Sequence, residues 1–427
     1  MKIQVKHKLF SGALQFTIFI GVVVALLLAG LVMLENTHNF FIEQSKATIE
    51  NIQLANSGIN YLLKDDLQSN DTLTIASLSN ENQTLEVHLS NWGIFEKAIV
   101  KATHRKKIFY KSALLGTNMT SENRPTLYLQ DNYKPLIVVG RTILKGTAFI
   151  PSQGVNPGYI AGESFYGNEV VQGIIKKSST TLPKLKKNYK EELELLLKTN
   201  DFNASNFISE SNLTDLTNSF SKPTKTYYSK TPIDLSHNHI IGNVIIKSDK
   251  LITIQRTAFL RDVIIIAPEV EIQDGVTGNF QVFASKTITV GKECKLNYPT
   301  ALVLIQEKES EAEPNPIPQE YKITIDKNSE IRGSVCYFKS IKENDFKTQL
   351  TLEQSSSIKG EVYCQGNFEL KGKVVGSVFT EQFIANAAGS IFINHIYNGE
   401  IVQDNFPESF CGILFENNSK AVAKWIY

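Results

Sequence analysis

Hydrophobic positions follow three rhythms along this chain. The first is an unbroken run, "SGALQFTIFIGVVVALLLAGLVMLEN" (11–36), with no charge from Leu9 to Leu34 and only Gln15 and Thr17 polar past Leu14. As a helix the run is roughly 39 Å long, enough to cross a ~30 Å hydrocarbon core with some tilt. A removable secretory signal has a shorter apolar region and a small-residue cleavage site. Here the run is long and ends in "LVMLEN", so the pattern predicts a retained transmembrane helix over 13–35, preceded by a leader, 1–12. The second rhythm is helical: Phe41, Ile42, Ile49, Ile52, Ala55, Ile59, Leu62 and Leu63 recur on one face until "KDDLQSND" at 64–71. The two rhythms join without a Pro, predicting one helix of about 50 residues, its second half an amphipathic stem over 36–70.

The third rhythm is alternation. "TLEVHLSNWGIFEKAIVKATHRKKIFYKSALLG" (84–116) alternates as Leu85/Val87/Leu89 and predicts a small antiparallel β unit within 71–133, with Trp92-Gly93 at a turn. From Pro135 onward the alternation becomes a repeat: starts fall at Val244, Val263, Val282, Val303, Val335, Val362 and Val378. The common spacing is about 20 residues; the two longest intervals carry polar insertions, "EKESEAEPNPIPQE" (307–320) and "KENDFK" (342–347). Each unit reads strand, polar break, strand, turn, and Gly242, Gly333, Gly360 and Gly376 each precede a strand start by two residues. Units of this kind close a core only by stacking. The expectation is a mainly β body: first coils of a β-solenoid at 134–177, a helical and polar insertion at 178–230 emerging as a side lobe, the main solenoid at 231–400, and an end cap at 401–427. A β-sandwich with regular turns is the alternative.

Charge adds orientation. Lys2, Lys6 and Lys8 precede the apolar run, and Glu35 and Glu43 follow it before Lys46. Excess Lys marks the cytoplasmic side, so the N-terminus is expected inside and the body outside. Net charge is +1, with no basic block beyond "HRKK" at 104–107, so nothing supports a nucleic-acid partner.

"SGALQF…LLLAGLVMLENTHNFF…ENIQLANSGINYLL" resembles the N-terminus of minor pilins and pseudopilins of type IV pilus and type II secretion systems, nearest the X and K types. The resemblance covers about 50 residues. It implies a basic leader cleaved between Gly12 and Ala13, an apolar helix, and an "AxxSG" element. The nearest counterpart of that element is Ala55-Asn56-Ser57-Gly58, one residue shorter. Bulk pilins carry Glu at the fifth mature position, where Thr17 would stand here. K-type pseudopilins also lack that Glu, which implies a tip or accessory role. Close packing of neighbouring stems needs small residues, and Gly21, Ala25, Ala29 and Gly30 are the candidates. The body, in turn, resembles a bactofilin-like β-helix.

Candidate chemistry is sparse. His237 and His239 share a strand-like spacing but lack a third ligand nearby. Arg256, Arg261 and Arg332 are scattered, and no acid cluster recurs with the repeat. No catalytic, cofactor or metal residues are therefore assigned. Cys294, Cys336, Cys364 and Cys411 lie on the side where disulfides persist, with their connectivity open. Cys336 is one residue past its unit start and Cys364 two past its own, so they face opposite ways and are expected as buried thiols rather than a bridge. The sum is a single-pass protein of a bacterial inner membrane, non-catalytic, with its body periplasmic or extracellular. Its expected partners are the lipid bilayer and other pilin-like subunits or secretion components. The competing class, an anchored β-helical enzyme acting on polysaccharide, requires a convergent acid–base group.

Overall fold

A computed structural model describes residues 11–64, 71–76, 83–104, 107–120, 123–198, 206–307, 320–340, 346–404, 406–416 and 418–426. The basic leader with Lys2, Lys6 and Lys8, the stem end at 65–70 and most of the insertions at 307–320 and 342–347 lie outside them. Mainly β in content, the chain opens with one long apolar helix.

Helix α1 (Ser11–Lys64) runs 54 residues without a break. The hydroxyls of Thr17, Thr37 and Thr48 donate to the carbonyls of Leu14, Met33 and Gln44 at 2.8–2.9 Å, so these polar residues are satisfied within the helix. Lys64 in the last turn complements the negative end of the helix dipole. The first half touches nothing else in the chain: Leu14, Leu26 and Met33 are 66%, 67% and 74% exposed. In the second half Asn51, Ala55, Gly58, Ile59 and Leu62 are buried at helical spacing.

That buried face lies on an antiparallel sheet of β1 (Thr72–Ala76), β2 (Gln83–Trp92), β3 (Phe95–His104) and β4 (Lys107–Asn118). Leu85, Val87 and Leu89 point to the helix together with Ala98, Val100, Ala102, Ala113 and Leu115. The small residues here let the helix approach closely. A Cβ on Gly58 would come within 2.7 Å of the Val100 side chain, so this glycine sets the helix–sheet distance. Beyond β4 the expected boundaries give way. Leu127–Leu129 already belongs to the parallel sheet, so the antiparallel unit ends at Asn118 rather than 133. The C-terminal segment is not an end cap: Cys411–Gly412 and Lys420–Ile426 both pair with β4, and the latter is an outer strand of the antiparallel sheet.

Most of the remaining β structure is a closed, largely parallel sheet, beside which stand a short antiparallel pair (Tyr159–Ile160 with Glu163–Ser164) and a three-stranded parallel sheet of His395–Tyr397, Leu136–Val139 and Val155–Pro157. The in-register rows of the closed sheet show why alternation and repetition coincide in the sequence. Ile246, Ile265, Val282, Leu302, Val335, Val362, Val378, Leu127 and Ala148 stand on one another in that order, all facing the core. A second row runs Ile252, Val270, Ile288, Ile323, Leu350, Phe368 and Phe383. A third runs Leu216, Ile240 and Leu260, then Leu296, Ile331, Ile358, Val374, Ile401 and Leu144. Gly333, Gly360 and Gly376 stack at one corner with φ of +147°, +157° and +137°. A Cβ on Gly360 would collide with the Gly333 carbonyl oxygen, so the corner admits only glycine.

Two features of the repeat differ from expectation. Val282 stands on Ile265, two residues past the expected Val263, and both Ile265 and Val263 face the core within one apolar run. Val303 faces outward, and Leu302 takes the inward place. Both errors have one cause. This strip of sheet is apolar on its outer side too, where Ile266, Phe283, Val303, Cys336, Tyr363, Phe379, Tyr128 and Phe149 form a parallel row. A strand buried on both faces reads as a continuous apolar run and conceals its own register.

The order of units also differs. Residues 134–177 do not precede the main run in space. Val378 pairs with Leu127 and Ile401 with Leu144, so the N-terminal units stand beyond the C-terminal ones. The chain reaches an end of the ladder at Ile175–Lys177 and restarts at the other end with Asp215–Asn218. Segment 178–230 is therefore no side lobe. Residues 178–198 pass along the outer apolar row, where Lys186 N–H bonds the Leu414 carbonyl, Lys190 Nζ the Lys339 carbonyl, and Lys247 Nζ the Leu197 carbonyl, while Asp215–Asn218 and Lys225–Ser229 are strands of the parallel sheet itself. Helix α2 (Tyr189–Lys198) lies within this return strap.

Ile265 and Val378 are fully buried in the inner row. Ile265→Asp or Val378→Asp should each cost several kcal/mol by burying an unpaired charge. Thermal unfolding checks this: a parent-like melting temperature for both would exclude the inner row as drawn.

Candidate functional site: the stem and its joint

Gly21, Ala25 and Ala29 recur every fourth residue and share about 80° of the helix circumference. Gly30 lies about 180° from Gly21 and does not join them. The expected four-residue packing face thus reduces to three residues in line, with Gly30 on the far side. At Gly12, Gly21 and Gly30 nothing lies within 4 Å of the place a methyl group would occupy, so each presents bare backbone outward. Thr17 lies in the same exposed half, its hydroxyl occupied by the Leu14 carbonyl. Within the second half, Gly58 of the Ala55-Asn56-Ser57-Gly58 element packs on β3, and Ser57 is exposed with its hydroxyl on the Gln53 carbonyl. The helix is long and apolar enough to cross a membrane by length and composition.

Behind the stem is a joint that carries the sheet onto the body. The β2–β3 turn, with Gly93 at φ +63°, projects onto the outer side of the parallel sheet. Gln281 grips the turn on both sides: its Oε1 accepts from Ile94 N–H at 2.9 Å and its Nε2 donates to the Trp92 carbonyl at 3.1 Å. Tyr189 of α2 donates to the Ile94 carbonyl at 2.8 Å, and Trp92 meets Phe220 edge-on at 5.2 Å. Glu96, fully buried on β3, is paired with Lys186 of the strap and, at 3.0 Å, with Lys420 of the C-terminal strand. A buried carboxylate needs such partners. Lys424 of the same strand reaches Asp262 of the body at 2.5 Å.

Glu361 completes the joint. It sits in the row Gln281, Ala301, Ser334, Glu361 on the outer side of the parallel sheet, accepting from Ser334 Oγ at 3.1 Å and from Ile413 N–H. Burial pushes its carboxyl up to about 7, opposed by those two hydrogen bonds and by the Arg124 guanidinium. Arg124 donates to the Met119 and Phe410 carbonyls at 2.7 and 3.1 Å and lies 4.5 Å from the Phe406 ring. None of Gln281, Glu96, Glu361 or Arg124 was predicted from sequence. For Gln281, Glu96 and Glu361 the only signal there is a polar side chain inside an apolar run, as in "NFQVFA" and "GEVYC", and Arg124, in "SENRPT", has none.

The remaining candidates do not converge. His237 is in a turn at φ +58°, while His239 starts a strand, stacks on Phe259 at 4.8 Å and reaches Asp215 at 3.1 Å. Among the described residues no three His, Cys, Asp or Glu come together as a metal site. Arg261 and Arg332 pair with the neighbouring Asp262 and Glu330, and Arg256 lies against the Gly275 turn. Two carboxylates do meet, Glu353 and Glu369 beside a cavity of about 240 Å3, but both are paired with Lys371 at 3.0 and 3.3 Å. All four cysteines are free and buried. Cys336 registers with Tyr363 and Cys364 with Tyr337, so the first faces outward and the second inward, as their spacing predicts.

No protein-family model matches the chain, and no curated protein does. A search of solved structures finds similarity to the competence-associated pilin ComZ from Thermus thermophilus, at 10% identity over 89% of this chain and 97% of that one, with a TM-score of 0.22. At that TM-score the likeness carries no argument about fold or function.

The Glu361 geometry predicts a pH dependence. Its folded-state value is raised above the ordinary 4.5, so the stability it contributes is present at low pH and is lost as pH rises through about 7. Between pH 5 and pH 8 the wild type should lose on the order of 3 kcal/mol relative to Glu361→Gln. Parallel denaturation midpoints across that range for the two proteins would sink this assignment.

Proposed function

We propose that this chain is a membrane-anchored, non-catalytic assembly component of an envelope machine, of the minor pilin or pseudopilin kind. The observation that carries the reading is α1: one 54-residue helix, its first half bare and apolar on every side, its second half built into a folded sheet. A plain anchor needs no continuous helix into the body. A stem that packs in a bundle does, because a rigid rod transmits the position of the bundle to what it carries. In this reading the N-terminus is cytoplasmic and the stem spans the inner membrane of a bacterium. The body, a β-solenoid wound by the stacked rows, stands in the periplasm or outside. Gly21, Ala25 and Ala29 give neighbouring stems their close approach, and Gly12-Ala13 is the bond a prepilin peptidase would cut. Thr17, uncharged and internally bonded, suits a tip or accessory place.

Three measurements test this. External protease on spheroplasts should degrade everything past about residue 36 while a tag on Met1 survives. Gly21→Leu with Ala25→Leu should leave membrane insertion intact and reduce crosslinking to neighbouring stems at least several-fold. Gly12→Arg should leave the protein heavier by residues 1–12. A mature chain starting at Met1, with full activity after residues 14–34 are scrambled among themselves, would reduce the stem to a simple anchor.

A further inference from the structure

Beside the stem, a cleft of about 410 Å3 opens between β4 and the C-terminal strand on one side and the Ser219–Ser221 turn on the other. Its aromatic lining is unusually bare. Tyr110 and Trp425 are 53% and 40% exposed, whereas the other tryptophan, Trp92, is 3% exposed in the joint. Exposed aromatic rings in a concave site lose contact with water only when a ligand covers them. Lys111 completes the site, its Nζ 3.9 Å from the Trp425 ring centroid and bonded to Asn56 Oδ1 of the stem. An ammonium has three N–H donors, and Asn56 takes one. Ser219 and Ser221 bond each other at 2.9 Å, which leaves the pair an O–H donor and free lone pairs. No carboxylate lines the cleft among the described residues.

We propose that this cleft binds an acidic saccharide. The axial C–H bonds of a pyranose form a slightly positive, apolar face that suits the negative face of an aromatic ring. Its hydroxyls find the serine pair, and its carboxylate finds the Lys111 ammonium, with no carboxylate side chain among the described lining residues to oppose it. A membrane lipid headgroup is the poorer occupant on position: about 30 Å of helix separates Glu35 from Asn56, which puts the cleft beyond the headgroups. The site is independent of how the stems assemble.

The test is tryptophan emission of the full-length chain in detergent micelles, titrated with trigalacturonate and, in parallel, with maltotriose. Because Trp92 is buried, a ligand-dependent change reports Trp425. The expected result is a saturable change with trigalacturonate and at least ten-fold weaker binding of maltotriose. Lys111→Gln should abolish the response at an unchanged melting temperature, and Ser221→Ala should weaken it several-fold. The absence of a saturable change with trigalacturonate, equal binding of the two sugars, or unchanged titration of both variants would each overturn the proposal.

Discussion

One strip of parallel sheet apolar on both sides governs this molecule. Its inner side needs a core, and stacking the units supplies it. Its outer side, with Phe283, Val303, Cys336, Phe338, Tyr363 and Phe379, would otherwise leave several large side chains in water, at roughly 1.5–3 kcal/mol each. Three separate parts of the chain cover that side: the β2–β3 turn, the strap with Leu182, Tyr189 and Leu193, and the C-terminal Ile413, Leu414 and Phe415. The sheet that holds the stem is fixed to the body because its turn is one of those covers.

Polar groups give this apolar contact its register. A greasy surface alone lets the sheet slide on the body, since one apolar neighbour replaces another at little loss. Gln281, Glu96 and Glu361 remove that freedom, because each would be left buried and unpaired by a shift of a few ångströms. Their partners come from the turn, the strap and the C-terminal strand, so position is specified from three directions at once.

The sequence made the helix, the alternating sheet and the repeat legible because each has one buried face and one open face. Leu85, Val87 and Leu89, or Ile252 and Ile254, announce their side by what stands between them. Val303 misled for the opposite reason, with apolar neighbours serving two different cores. Spatial order was illegible for another reason: nothing local in residues 134–177 records that their partners are His395–Tyr397 and Glu400–Val402. The stem candidates were readable as small residues in an apolar run, although helix geometry separates Gly30 from the other three. The joint was invisible, because its residues are isolated polar side chains whose partners lie far off in sequence, 27 residues away for Glu361 and Ser334 and 187 for Gln281 and Ile94.

The placement of the N-terminal units beyond the C-terminal ones has a consequence for how the molecule is made. Leu127 and Leu144 are synthesised well before Val378 and Ile401, yet those are the edges they complete. β4 similarly waits for Lys420–Ile426, which is made long after it. Early segments therefore pair on one edge with close neighbours, as Leu127 does with Ala148, and on the other only with polypeptide made much later. Such long-range pairing raises contact order and slows folding. It also leaves those strand edges bare until the later segments are made.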